Sequence, residues 1–162
     1  MQPQSLKFMT QSSVAIITGA VGNLGFATAR AFQAVGYRTV LVDRSRDRLG
    51  QTFPAIADSP DHLFAGGVDV SDAAALAKLV TDTVARFGRV DVLVNTVGGW
   101  RGGKPVHEDA LETWDLLFQV NLRATLLACR AVIPQMLQQR RGKIINVASR
   151  DALKGSAGYA AY

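Results

Sequence analysis

Apolar runs and amphipathic stretches alternate along this chain. Val14-Ala15-Ile16-Ile17-Thr18 is short, rich in β-branched residues and apolar up to its last position, the pattern of a strand covered on both faces. From Asn23 to Val35, Leu24, Ala27, Ala31, Ala34 and Val35 recur at helical spacing, and Gly36 ends the segment. Arg38 to Val42 predicts a second strand, Ser45 to Ile56 a weaker helix interrupted near Pro54, and Leu63 to Val68 a third strand. Ser71 is positioned to cap a helix over Asp72 to Phe87, which Gly88 stops. Asp91 to Val94 predicts a fourth strand, followed by a polar, Gly-rich loop from Gly98 to Pro105. A long helical pattern runs from about Asp109 to Gln139, with a kink expected at Pro134. Lys143 to Ala148 predicts the fifth strand. Strands interleaved with helices in this way predict right-handed βαβ units, an α/β fold with a parallel sheet and helices on both faces.

Composition narrows the picture. The 162 residues fit one domain, and 48% hydrophobic content is ordinary for a globular protein. Residues 1–12 read as a flexible tail and a poor secretion signal, leaving 13–162 as the domain. No uninterrupted apolar run reaches the length a membrane helix needs, so no membrane partner is expected. Cys129 is the only cysteine, which excludes an intrachain disulfide and a Cys-based metal site and suits a cytoplasmic location. The net charge of +5 raises nucleic acid as a partner. Yet Arg44, Arg46 and Arg48 alternate with Asp43, Ser45 and Asp47, and Arg140-Arg141 end a helical segment. Scattered cations at helix ends complement the helix dipole, and no aromatic ladder supports specific nucleic-acid binding.

The candidate chemistry begins at Thr18-Gly19-Ala20-Val21-Gly22-Asn23-Leu24-Gly25, between the first strand and the first helix. A pyrophosphate needs backbone N–H groups aimed at it and no side chain in the way, and a helix N-terminus adds partial positive charge. Asp43 closes the second strand eighteen residues after Gly25. A carboxylate there can accept hydrogen bonds from both ribose hydroxyls and repels a 2′-phosphate, which favours NAD over NADP. Arg44 next door keeps NADP open.

Together these residues resemble the short-chain dehydrogenase/reductase family over Val14 to Tyr162. Thr18, Gly19 and Gly25 match its Thr-Gly-x-x-x-Gly-x-Gly motif; Asn23 stands where the middle glycine belongs, with Gly22 just before it. Asn tolerates left-handed backbone, which would let the turn survive. Asp69-Val70 resembles the pair that contacts adenine. Asn95-Thr96-Val97-Gly98 resembles Asn-Asn-Ala-Gly, matching at Asn95 and Gly98. Asn121 matches the family's catalytic asparagine, and Ser149 and Tyr162 match its serine and tyrosine in identity and in their thirteen-residue separation. The resemblance implies a Rossmann-like sheet of order 3-2-1-4-5 and hydride transfer between NAD(H) and a secondary alcohol or ketone. Tyr162 would be the general acid/base, Ser149 would hold the substrate oxygen, and Asn121 would hold a water in the proton relay.

A phenol is a reluctant base near neutral pH, and the family's lysine follows its tyrosine by four positions, past the last residue of this sequence. The expectation is therefore an incomplete fold, lacking its C-terminal part, that is inactive by itself. In a complete protein the resemblance implies a homodimer or homotetramer. A non-catalytic nucleotide-binding module is the alternative reading. Trp100, Arg101, Lys104 and His107 sit on the loop after the fourth strand, which faces the ligand crevice in such folds. Cys129 reads as packing, and Trp114, Leu117 and Phe118 as core or subunit interface.

Overall fold

Strand β1 (Val14–Thr18) is buried along its whole length at the middle of a parallel sheet in the computed structural model, which describes residues 13–162. The expected tail, residues 1–12, lies outside the described residues. On one side β1 pairs with β2 (Arg38–Asp43), and β2 with β3 (His62–Gly66). On the other it pairs with β4 (Val92–Asn95), and β4 with β5 (Lys143–Asn146). The order β3-β2-β1-β4-β5 is the one expected. Strand order reverses between β1 and β4, so a ligand crevice belongs at the carboxyl ends of these two strands.

Both faces of the central strands are covered, which explains why so few polar residues occur in them. Val14 and Ile16 face one layer with Val40, Val42 and Leu93, packed against Leu76 and Leu79 of α3 (Ala73–Phe87) and Ala128 and Val132 of α5 (Ala124–Gln138). Ala15 and Ile17 face the opposite layer, packed with Leu41 and Val94 against Ala29 of α1 (Asn23–Ala34) and Leu49 of α2 (Arg46–Thr52). Each fully buried aliphatic side chain contributes about 1.5–3 kcal/mol relative to an exposed one.

At the amino ends of β1 and β4 a buried carboxylate joins the strands. Asp91 is 3% exposed; it accepts from the Val14 amide at 2.9 Å and pairs with Arg89 at 2.5 Å, with Arg141 3.7 Å away. The coverage of β5 is one-sided. Ile144 packs against the core beside α5, while Ile145 and Val147 are about half exposed.

Several boundaries differ from expectation. Asp72, not Ser71, caps α3, accepting from the amides of Ala74 and Ala75, because Ser71 is committed to Asp69. The weak second helix stops at Thr52, and Pro54–Ile56 forms a separate 3-10 turn. β3 ends at Gly66, ahead of Gly67 with its φ of +80°, and β5 ends at Asn146. The long helix runs from α4 (Leu111–Leu117) through a π turn at Phe118–Arg123 into α5. Pro134 lies within α5 without breaking it, and the π turn ends eleven residues before the proline. Over an 18-residue window this helix has a mean hydropathy of 1.4, enough by length and composition for a membrane span. Ala124, Ala128, Val132 and Met136 are nonetheless buried in the core.

Candidate functional site

The turn after β1 is built around close backbone contacts. Gly19 has a φ of +66°, and a Cβ there would lie 3.0 Å from Val97 Cγ2 and 3.1 Å from Thr96 Oγ1. The Gly22 amide donates to the Gly19 carbonyl at 3.0 Å, and the Ala20 amide to Val42 at 3.1 Å. A Cβ on buried Gly25 would run into the Gly19 carbonyl oxygen and lie 2.9 Å from the Ala20 Cα, so α1 starts directly against the turn. Gly22 is the N-cap and supplies no side-chain acceptor. The first-turn amides of α1 therefore remain available to an anion. Asn23 is simply the first residue of α1; among the described residues only Arg140 is a non-glycine with positive φ, so left-handed tolerance is not used at Asn23.

Two cavities open at the carboxyl ends of the strands. The first, of about 520 Å³, is lined by Gly19, Gly22, Asp43, Arg44, Val70 and Gly98 of the expected residues. Its size and its glycine-walled cradle fit a dinucleotide. The other six expected cofactor residues are not in its lining. Thr18 is buried and its hydroxyl donates to the Val94 carbonyl. Asn95 is buried between strands, its amide donating to Asn146 Oδ1 at 2.9 Å. Gly25 serves the close packing just described, while Asn23 and Leu24 lie on the exposed side of the first helical turn. Asp69 accepts from Ser71 Oγ at 2.7 Å and from the Ser71 amide at 2.8 Å, and pairs with Arg44 at 3.2 Å. Those Ser71 hydrogen bonds, with the Arg44 charge adding, hold its carboxyl below the usual carboxylate range. Arg44 is thereby turned toward Asp69, and Asp43 accepts from the Ser45 amide at 3.0 Å.

The second cavity, of about 440 Å³, brings Asn121, Ser149 and Tyr162 into one lining. It shares the wall from Thr96 to Trp100 with the first. Asn121 sits in the π turn, where its Oδ1 accepts from the Gly99 amide at 2.8 Å and its Nδ2 donates to the Gly99 carbonyl at 3.0 Å. Ser149 follows β5 and caps the 3-10 turn Arg150–Leu153, accepting from the Asp151 amide at 3.1 Å and donating to Asp151 Oδ2 at 3.2 Å. Tyr162 is 37% exposed. Of the loop residues, Trp100 and Arg101 line cavities, whereas Lys104 is exposed and His107 is exposed beside Glu108.

Residues 13–162 match the short chain dehydrogenase family along their whole length. The chain belongs to the short chain dehydrogenase family. The 2-(R)-hydroxypropyl-CoM dehydrogenase of Xanthobacter autotrophicus is 37% identical over 158 residues, covering 93% of this chain and 62% of that protein. The D-threitol dehydrogenase of Mycolicibacterium smegmatis is 33% identical over 155 residues, covering 96% and 59%. Among solved structures, an NAD⁺-bound xylitol dehydrogenase superposes with a TM-score of 0.83 at 29% identity, covering 95% of this chain and 59% of that one. The closed form of a serine dehydrogenase complexed with NADP⁺ gives 0.84 at 28% identity, covering 92% and 59%. The chain thus spans about three fifths of the length of these relatives.

Within this short chain dehydrogenase, sequence reasoning passed over Val21, Arg48 and Val97, all in the lining of the first cavity. Arg48 lies one helical turn beyond Ser45, which caps α2 by accepting from the Arg48 amide at 3.3 Å, and it lines the same cavity as Asp43. No sequence signal separated it from the other alternating arginines.

Proposed function

We propose that this protein transfers a hydride between NAD(H) and a secondary alcohol or its ketone, with NADP(H) as the alternative coenzyme. One observation carries the reading. Asn121, Ser149 and Tyr162, distant in sequence, line a single cavity that shares a wall with the glycine-cradled one. Gly19, Gly22 and the first turn of α1 would hold the pyrophosphate, and Asp43 the adenosine ribose. Arg44 is engaged by Asp69, which supports Asp43 as the group that discriminates against a 2′-phosphate.

A bound nicotinamide supplies or accepts the hydride. In alcohol oxidation the Tyr162 phenolate takes the hydroxyl proton while the carbinol carbon gives up its hydride; in reduction Tyr162 returns that proton to the carbonyl oxygen. The Ser149 hydroxyl hydrogen-bonds the substrate oxygen, which requires it to exchange its Asp151 partner for substrate. Asn121 uses its side chain to hold Gly99 and so fixes the shared wall.

The test is single-turnover oxidation of NADH by a ketone panel with protein in excess. Tyr162→Phe should abolish the hydride step while leaving NADH affinity unchanged. A rate that survives both Tyr162→Phe and Ser149→Ala removes the proposal. Tight NADH binding with no carbonyl of the panel reduced is the result expected of a non-catalytic nucleotide-binding module.

A further inference from the structure

We infer that Trp100, braced by Tyr159, selects ketones and alcohols bearing an aromatic substituent next to the reacting carbon. This inference rests on the hydride-transfer reading and deepens it. The loop after β4 crosses the segment that leads to Tyr162 at unusually short range. The Gly103 amide donates to the Gly158 carbonyl at 2.7 Å. A Cβ on Gly102 would lie 2.5 Å from that carbonyl oxygen, and a Cβ on Gly158 would lie 3.1 Å from the Gly103 Cα. Gly158 also has a φ of +76°, which side chains rarely adopt. Only glycines permit this crossing, and it seats the Trp100 ring 5.6 Å from the Tyr159 ring, inclined at 51°.

The Trp100 member of this pair borders both cavities. Trp100 contributes to the lining of each, yet 53% of it remains exposed, so it retains ring surface for a ligand. The reaction cavity has no charged residue in its lining. Its apolar wall comes from Val97, Val147, Ala148 and Ala152, and its polar groups are Thr96 and the three candidate catalytic residues. Arg101, the nearest cation in sequence, belongs to the lining of the coenzyme cavity alone. A neutral ligand with its oxygen at Ser149 and Tyr162 would find small aliphatic groups and an indole in the same lining. A flat π-system gains offset or edge contacts with indole that a saturated ring of similar size does not.

The chain has two tryptophans, and Trp114 lies on α4 outside both linings. In a Trp114→Phe background, emission therefore reports on Trp100. NADH titration comes first; energy transfer from Trp100 to the reduced ring reads coenzyme binding. Acetophenone, cyclohexyl methyl ketone and pyruvate are then titrated, each with and without saturating NAD⁺. Acetophenone should quench Trp100 and bind about two- to tenfold more tightly than the saturated ketone, and pyruvate should bind weakest. Equilibrium dialysis of Trp100→Leu and Tyr159→Leu, checked for folding by circular dichroism, should show the aryl preference lost and reduced, respectively; Trp100→Phe should keep part of it. Equal affinity for the two neutral ketones, stronger binding of pyruvate, or a preference untouched in Trp100→Leu would overturn the inference. Absence of NADH binding would instead defeat the hydride-transfer reading, and the ketone titrations without coenzyme would still decide the role of Trp100.

Discussion

Thr96 donates two hydrogen bonds to Thr18. The Thr96 hydroxyl donates to the Thr18 carbonyl at 2.6 Å, and the Thr96 amide donates to the Thr18 hydroxyl at 3.2 Å. This clasp joins the carboxyl ends of β1 and β4 beside the first cavity. Thr96, where the chain departs from Asn-Asn-Ala-Gly, thus ties the two strand ends together. Thr96→Val keeps the shape and removes the donor, leaving the Thr18 carbonyl without this partner. The expected cost is about 1–3 kcal/mol in urea unfolding, and Thr96→Ser should restore most of it.

At the opposite end of the same strands, Arg89 neutralises a carboxylate that water does not reach. Arg89→Met leaves Asp91 buried with the Val14 amide and the more distant Arg141. Unfolding free energy should fall by roughly 2–4 kcal/mol. A loss below half a unit on that scale would show that Arg141 moves in to replace it.

His62 makes stability depend on pH. Its Nδ1 accepts from the Thr39 amide at 3.3 Å and lies 2.8 Å from the Thr39 hydroxyl. Burial lowers its pKa below the ordinary 6.5, with Asp61 opposing only in part. The unfolded chain thus takes up this proton before the folded one. The stabilising contribution is complete above about 6.5, declines as pH drops below that value, and is exhausted once the folded-state pKa is passed. Melting temperature should fall between pH 7 and 5, and His62→Gln should flatten that part of the profile; an unchanged slope in the variant would contradict the assignment.

Gly25→Ala tests the cradle. The added methyl meets the Gly19 carbonyl, which cannot retreat without opening the turn. Overpacking of this kind costs about 1–3 kcal/mol, and NADH affinity should drop by more than tenfold. The same substitution at Gly50, where a Cβ meets nothing within 4 Å, should leave affinity intact.

The sheet was readable because burial on both faces demands an unbroken apolar run, and β1 has one. The glycine turn was readable because close approach requires residues without side chains. The rest depended on choices between equivalent local partners. Ser71 and Asp72 are both able to cap α3, and only the position of Asp69 decides between them. The π turn around Asn121 coincides with a hydrogen-bonded pair to Gly99, twenty-two residues away, which no local pattern records. Arg44 was legible as a cation beside Asp43, but its pairing with Asp69 is a contact between neighbouring loops.

Calorimetric titration of the chain with NAD⁺ and with NADP⁺ addresses the central claim most directly. One NAD⁺ should bind, NADP⁺ should bind at least tenfold more weakly, and Asp43→Ala should narrow that gap. No heat with either nucleotide, or NADP⁺ binding as tightly as NAD⁺, would contradict the account.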